Sequence, residues 1–145
     1  MRTGKLRIEN TLHPLVYTVP CMKVRITRID NKLPLPKYET DGSVGFDFVA
    51  REDTPIPPRA LALIPANVIV EVPKNYMLVV ASRSSTPRKK GLLTPHGIGI
   101  IDHDYCGPED EIKIQVYNFR DEPVTVKRGD KIAQGIFVHI DKFEW

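Results

Sequence analysis

The chain has 145 residues, of which 41% are hydrophobic and 27% are charged, and this length and balance are typical of a folded domain with a substantial core. Its 21 basic and 18 acidic side chains give a net charge of +3, which is too small an excess to indicate nucleic-acid binding. No run approaches the roughly 18 apolar residues of a membrane span, and no apolar core follows the basic residues near the N-terminus, so no signal peptide is expected.

The two cysteines indicate the redox environment of the protein, and the prolines indicate whether the chain is folded. Cys21 and Cys106 fit no metal-binding spacing and make a weak case for a disulfide, so we interpret both as free thiols of a reducing, cytoplasmic environment. The 13 prolines separate short apolar runs, which is typical of turns between strands and not of a disordered tract. We therefore expect one domain over residues 1–145, with residues 1–22 as an irregular N-terminal arm of unknown role.

Short alternating or β-branched runs predict a series of strands separated by turns. These strands are expected at 23–30, 45–49, 77–81, 124–126 and 131–138, with two more inside 61–73 that break at Pro65 and Asn67. Residues 53–58 are expected to form a loop. The densest β-branched cluster, expected in the core, comprises Val68, Ile69, Val70 and Val72. Since no stretch of ten or more residues has helical periodicity, the chain predicts an all-β sandwich or barrel.

The stretch 97–118 carries the clearest candidate for chemistry. Gly97 and Gly99 precede an acidic turn, and an alternating segment follows it, with one face formed by Ile112, Ile114 and Val116. This pattern predicts a β-hairpin with Asp102 and Tyr105 at its bend, and with glycines that let the backbone approach a small molecule. Because Asp and Gly are also ordinary turn residues, a polar surface turn is the alternative for this stretch alone.

Two other segments are candidates for binding. Residues 82–91 read SRSSTPRKKG, and hydroxyl and guanidinium groups together suit phosphate oxygens. A solvated basic loop is the alternative for this run. Asp47 lies between two phenylalanines of a predicted strand, so its carboxylate either faces solvent or is held buried for a purpose.

Four blocks in chain order resemble the trimeric dUTPases, the deoxyuridine triphosphate nucleotidohydrolases. They are YETDGSVGFDFVA at 38–50, SRSS at 82–85, GIGIIDHDYCG at 97–107 and RGDKIAQGIF at 128–137. The resemblance spans about residues 24–138. It implies a jelly-roll-like β-sandwich that forms a homotrimer with active sites at the subunit interfaces, and an enzyme that splits dUTP into dUMP and pyrophosphate. It also implies Mg²⁺ held mainly by the triphosphate, and Mg²⁺ does prefer phosphate oxygens and water to an all-protein cage.

The resemblance implies a role for individual residues of these blocks. Asp102 would position and deprotonate the water that attacks the α-phosphorus, and Tyr105 would lie against the deoxyribose and leave no room for a 2′-hydroxyl. Asp47 would lie near the waters of the metal or support the catalytic residues. The substrate-binding residues implied in the same way are Arg83, Ser84, Ser85 and Gln134 for phosphates, from a neighbouring subunit, and His96, Gly97, Gly99 and Ile101 for the uracil.

The sequence departs from the family pattern at several positions. Relatives end in a glycine-rich tail whose phenylalanine covers the uracil, whereas no glycine follows Gly135 here. Phe143 or Trp145 is then a candidate cap for a neighbouring site, with packing inside the trimer as the alternative. Many relatives have asparagine where this chain has His96, which either donates to the base or is a plain loop residue. Residues 108–110 are an insertion after the third block.

Other functions stay open at this point. The run Thr86–Arg88 after the second block also resembles the related dCTP deaminases, which share the fold. Their catalytic glutamate corresponds here to Gln115, which cannot transfer a proton, so deamination is not favoured. A non-catalytic nucleotide-binding or regulatory homologue is a second alternative, and a diphosphatase for other nucleoside triphosphates is a third. Asp102 and Tyr105 favour catalysis on dUTP, and no nucleic-acid or membrane partner is expected.

Overall fold

The computed structural model describes residues 22–145, which form eleven short strands and one short helix. Cys21 and the predicted arm up to residue 21 lie outside these residues. In chain order the elements are β1 Ile26–Arg28, β2 Phe46–Phe48, β3 Thr54–Ile56, β4 Leu61–Pro65, β5 Val68–Val70, β6 Tyr76–Ser82, α1 Thr86–Lys90, β7 Leu92–Leu93, β8 Gly99–Ile101, β9 Lys113–Asn118, β10 Val124–Val126 and β11 Ala133–His139. Over this part of the chain no helix has the length and hydropathy needed to cross a membrane.

The strands pair antiparallel in four sheets. The largest sheet has the order β2-β11-β6-β8, and β11 pairs with β6 over its whole length, from Ala133 opposite Ser82 to His139 opposite Tyr76. A second sheet has the order β4-β9-β7, and β1-β5 and β10-β3 form two-stranded pairs. One buried core cluster draws side chains from all four sheets, which confirms the predicted all-β, jelly-roll-like sandwich.

The core follows from the sequence pattern of the strands. In β9 the buried residues are Ile114, Val116 and Asn118, and the residues between them point to the outer face. All of β5 is buried, as its β-branched composition predicts. Each fully buried Val, Ile, Leu or Phe side chain stabilises the fold by about 1.5–3 kcal/mol relative to an exposed one. The short strands are therefore held together mainly by the burial of their side chains.

The predicted hairpin over 97–118 is wrong. β8 pairs with β6, whereas β9 pairs with β4 and β7, so the two strands belong to different sheets. The connection 102–112 is too long for a tight hairpin loop and contains a turn of its own, in which the Gly107 amide donates to Asp110 Oδ2 at 2.7 Å. Period-two alternation identifies a half-buried strand, but it does not identify the strand's partner.

The predicted loop at 53–58 is wrong in part, and residues 82–91 contain a short helix that was not predicted. Within 53–58, β3 pairs with β10, and Pro55 lies opposite Thr125. A two-stranded pair tolerates proline because its outer edge needs no amide donor. Within 82–91, α1 ends at Gly91, whose φ of 68° is left-handed and whose amide donates to the Pro87 carbonyl. A five-residue helix is too short to produce a helical period in the sequence.

A buried carboxylate connects three distant segments beside the turn between β4 and β5. Glu111 is 9% exposed and accepts hydrogen bonds from Arg51 Nε at 2.8 Å and Arg51 Nη2 at 3.1 Å. The same carboxylate accepts the Asn67 amide at 2.9 Å, and Asn67 has a left-handed φ of 66°. The hydrogen bond to Glu111 raises the pKa of Arg51. This contact fixes the turn that the sequence predicts at Asn67.

Replacing Glu111 with glutamine is expected to lower the free energy of unfolding by about 2 kcal/mol, because Arg51 loses its charged partner in a partly buried site. Urea denaturation followed by circular dichroism measures the change. The control is Glu71→Gln, whose partner Arg25 and whose own side chain are 78% and 48% exposed, and the expected loss there is below about 0.5 kcal/mol. Equal losses in the two variants would contradict the role given to Glu111.

Candidate active site

A pocket of about 310 Å³ opens beside β8. Of the residues predicted from the sequence, His96, Gly99 and Ile101 line it, together with Val80 and Gln115. A Cβ on Gly99 would lie 3.3 Å from Val80 Cβ and 3.7 Å from His96 Nε2. Glycine at this position therefore keeps the pocket open and leaves the backbone of β8 accessible from it.

The turn before β8 explains the second glycine of the stretch. The Gly97 amide donates to the Thr94 carbonyl at 3.1 Å, and the Ile98 amide donates to the His96 carbonyl at 3.0 Å. Gly97 has a φ of 78°, a left-handed conformation that side chains disfavour, although nothing lies within 4 Å of the position a Cβ would take. Gly97 thus shapes the turn that carries His96, and it is not itself a lining residue of the pocket.

A smaller cavity of about 200 Å³ continues the pocket towards the acidic turn. It is lined by Ile100, Ile101, Asp102, Tyr105 and Lys113, and three of these residues also line the larger pocket. The Tyr105 amide donates to the Asp102 carbonyl at 3.2 Å, so carboxylate and aromatic ring sit on the same tight turn. The Asp102 side chain is exposed and Tyr105 is 38% exposed, so both are open to a ligand.

A second group of predicted residues gathers where β2, β6 and β11 meet. Gln134 lies opposite Asp47 in one pairing and opposite Ala81 in the other, and its Nε2 donates to the Ser82 carbonyl at 3.4 Å. Arg83 Nε lies 2.8 Å from Asp47 Oδ1. Ser84 and Ser85 follow directly, the first exposed and the second half-buried. The structure thus brings the predicted phosphate-binding residues together.

Asp47 is buried, which agrees with the second of the two alternatives that the sequence left open, a solvent-facing or a buried carboxylate. It is 8% exposed, and its Oδ2 makes no hydrogen bond with any residue in 22–145. That oxygen is shielded from solvent and lies 3.4 Å from Lys131 Nζ, so its charge is balanced by the lysine and it offers no open ligand position for a metal. No group of three His, Cys, Asp or Glu side chains suited to a metal occurs in the described part of the chain. The donor set therefore fits a Mg²⁺ that is bound mainly by ligand oxygens and water.

Asp102 and the Arg83 loop do not meet within one chain. Ile101 lies opposite Leu78, so Asp102 is level with Met77 at one end of β6, whereas Arg83 follows the other end. Six residues at about 3.3 Å each separate these levels by about 20 Å. Gly99 lies opposite Val80 in the middle of β6, and the turn with His96 and Gly97 continues towards the Arg83 end. Asp102 and Tyr105 therefore lie at the end opposite to the phosphate-binding residues Asp47, Arg83, Ser84, Ser85 and Gln134.

Sequence reasoning missed two lysines of these groups. Lys113 lines both cavities beside β8, and the alternation of β9 could have indicated it, because Lys113 lies on the outer face next to buried Ile114. Lys131 Nζ lies 3.4 Å from Asp47 Oδ2. Nothing in the sequence pattern links residues 47 and 131, which meet only because β11 pairs with β2.

Known proteins resemble this chain over most of its length. The family model described as dUTPase matches residues 31–145. The deoxyuridine 5′-triphosphate nucleotidohydrolase of Lactococcus lactis is 35% identical over 125 residues, 81% of this chain and 83% of that protein. The same enzyme of Helicobacter pylori is 35% identical over 124 residues, 86% of this chain and 83% of that protein.

Solved structures give the same result for the fold. The crystal structure of a dUTPase from Streptococcus mutans has a TM-score of 0.76 and 31% identity, and the match covers 83% of this chain and 98% of that one. A dUTPase from phage phi11 of S. aureus has a TM-score of 0.77 at 21% identity, covering 86% and 95%. That phage structure is described as revealing the coordination of a structural Mg(II) ion; at this identity it supports the fold alone.

Replacing Gly97 with alanine is expected to lower the free energy of unfolding by about 1–2 kcal/mol, because a residue with a Cβ is strained at positive φ. Chemical denaturation measures the loss. The control is Gly42→Ala, where a Cβ also meets nothing within 4 Å and φ is not left-handed. If Gly97→Ala is no more destabilising than this control, the turn does not depend on the glycine conformation.

Proposed function

The chain belongs to the dUTPase family, and from that premise we propose that it hydrolyses dUTP to dUMP and pyrophosphate at a site completed by two copies of the chain. The observation that carries the proposal is the arrangement along β6: the pocket lies beside the middle of the strand and continues to Asp102 and Tyr105 at one end, and an arginine–serine loop beside Asp47 follows the other end. Each end suits one part of a nucleoside triphosphate.

Uracil recognition rests on the position of β8 in its sheet. β8 is the last strand of the order β2-β11-β6-β8, so within residues 22–145 the backbone groups on its outer edge have no sheet partner and can form hydrogen bonds with the edge of a base. Gly99 keeps this edge accessible, and His96 adds a side-chain donor or acceptor. Tyr105 lies against the deoxyribose, where its ring leaves no room for a 2′-hydroxyl. Discrimination of deoxyuridine thus depends on backbone and shape more than on charge.

The hydrolytic step follows from Asp102. Its carboxylate accepts a hydrogen bond from the attacking water, orients the water at the α-phosphorus and takes its proton. The new bond joins the water oxygen to the α-phosphorus while the bond from that phosphorus to the bridging oxygen breaks. The electron pair leaves with pyrophosphate, and the hydroxyl stays on dUMP. An exposed carboxylate suits this role because water reaches it directly.

The phosphate-binding group supplies positive charge and hydrogen bonds to the leaving group. Arg83, Ser84, Ser85 and Gln134 of a second copy donate to phosphate oxygens. When bound, Mg²⁺ neutralises charge on the triphosphate. Asp47 supports this group through its contact with Arg83, whose Nε lies 2.8 Å from Oδ1.

We propose a homotrimer, and an exposed aliphatic face supports it. The face comprises Leu61, Leu63, Leu93, Ile98 and Ile100, which are 43–58% exposed. Leu61 and Leu93 both lie opposite Tyr117, and Leu63 and Ile100 both line the larger pocket, so this apolar surface borders the nucleoside site. Contiguous apolar surface of this kind is typical of a protein interface. A second copy seated here can bring its Arg83 loop to the pocket.

The purified protein with Mg²⁺ is expected to release pyrophosphate from dUTP much faster than from dCTP, dTTP or UTP, with UTP penalised by Tyr105. Asp102→Asn should lower kcat by at least about a hundredfold, and the neighbouring exposed carboxylate provides the control, since Asp104→Asn should keep most of the activity. A coupled pyrophosphate assay measures both. If a trimeric preparation binds dUTP tightly without turnover, the chain is a non-catalytic homologue; release at equal rates from all four nucleotides would contradict the assigned pocket.

A further inference from the structure

The buried carboxylate of Asp47 is held between two cations. Its side chain is 9% exposed; Arg83 Nε lies 2.8 Å from Oδ1 and Lys131 Nζ lies 3.4 Å from Oδ2. The Oδ1 contact is a close pair, whereas Oδ2 makes no hydrogen bond within residues 22–145. Lys131 therefore balances the second oxygen by charge, and this balance matters because an uncompensated buried charge is strongly destabilising.

Lys131 has a further partner on the surface. Glu39 Oε1 forms an ion pair with Lys131 Nζ. This hydrogen bond raises the pKa of Lys131 and lowers the pKa of Glu39. Glu39 follows Tyr38, which bridges to Phe46 on β2, so the carboxylate is attached to the strand that carries Asp47. Glu39 thus holds the lysine beside the buried carboxylate.

Arg83 is fixed at two of its three nitrogens. Nε faces Asp47, and Nη1 donates to the Lys131 carbonyl at 3.3 Å. The Arg83 amide also donates to the Ile132 carbonyl at 3.2 Å, which ties the backbone of the loop to the start of β11. The third guanidinium nitrogen, Nη2, takes part in neither of these contacts, so it is available for a phosphate oxygen.

We propose that Lys131 is a positioning residue of the phosphate site. It prevents Asp47 from pairing with Nη2 of Arg83 as well as with Nε, and Glu39 holds Lys131 in place. Arginine and carboxylate pair most strongly through two parallel bonds. If the second oxygen of Asp47 lost its counter-charge, Arg83 would turn Nη2 onto it and Nη2 would no longer reach the substrate. The inference rests on the proposed function, because it concerns how that site grips a triphosphate.

Replacing Lys131 with methionine tests the proposal. KM for dUTP is expected to rise about tenfold or more with a smaller change in kcat, while inhibition by deoxyuridine, which has no phosphate, stays unchanged. Lys131→Arg should restore KM to within about threefold, because it returns the positive charge. The control is Lys127→Met, which removes an ion-paired lysine of the same turn, 2.8 Å from Asp53, and should leave KM unchanged.

The link through Glu39 is tested by a double-mutant cycle. Glu39→Gln is expected to raise KM in the wild-type background and to have no further effect beside Lys131→Met. Independent, additive effects, or a lower KM in both backgrounds, would mean that Glu39 merely repels phosphate and would overturn its positioning role. An unchanged KM in Lys131→Met, or an equal loss of deoxyuridine and dUTP binding, would overturn the role of Lys131.

Binding of the non-hydrolysable α,β-imido analogue of dUTP separates this inference from the proposed activity. Calorimetry should show weaker binding of the analogue to Lys131→Met even if the wild-type chain proved inactive. If the wild-type chain binds the analogue but does not turn over dUTP, the hydrolase proposal is overturned and the positioning role of Lys131 is not. Thermal melting of each variant shows whether the fold is retained, and Lys131→Arg supports or overturns the role if the methionine variant is unstable.

Discussion

The hydrogen-bonding of β6 to its two neighbours is the constraint on which the rest of the site depends. β11 pairs along the whole of β6, whereas β8 pairs only with its central residues Leu78–Val80. Through β8, the pocket lies beside the middle of β6 and Asp102 lies beside its first residues, whereas β11 and β2 bring Gln134 and Asp47 to its last residues. Backbone ladders do not slide, because a one-residue slip turns every buried side chain outward. Asp102 and the Arg83 loop therefore lie about 20 Å apart in one chain, and this separation supports the proposal that a second copy of the chain completes the site.

The two ends of β6 differ in physical character, and the difference matches the two parts of a nucleotide. The pocket beside β8 is lined by aliphatic side chains, glycine and open backbone, which suits a neutral base. The other end has Arg83, Lys131, Asp47 and Glu39 in pairs whose charges cancel. A site whose charges are already paired holds its arginine in one orientation before substrate arrives, which lowers the cost of ordering it on binding.

Sequence reasoning predicted features that depend on local pattern and missed those that depend on pairing. Alternation predicted β9 and its buried face, and β-branched composition predicted β5, whereas the sequence left open whether Asp47 faces solvent or is buried. The prediction of the 97–118 hairpin was wrong because alternation does not identify a partner strand, and α1 was missed because five residues carry no helical period. Lys131 was out of reach because its contact with Asp47 joins segments more than eighty residues apart. The four sequence blocks identified the family because each is a short contiguous motif that can be recognised without knowing which strands pair.

Complementation between two inactive variants tests the divided site most directly. Asp102→Asn and Arg83→Ala, co-expressed with different tags and purified through both, should each be inactive alone. In each mixed trimer one of the three interfaces pairs an intact Asp102 with an intact Arg83, so the doubly purified assemblies are expected to recover roughly a third of wild-type activity. No recovery from mixed assemblies would mean that both residues serve a site within one chain, and it would contradict the account.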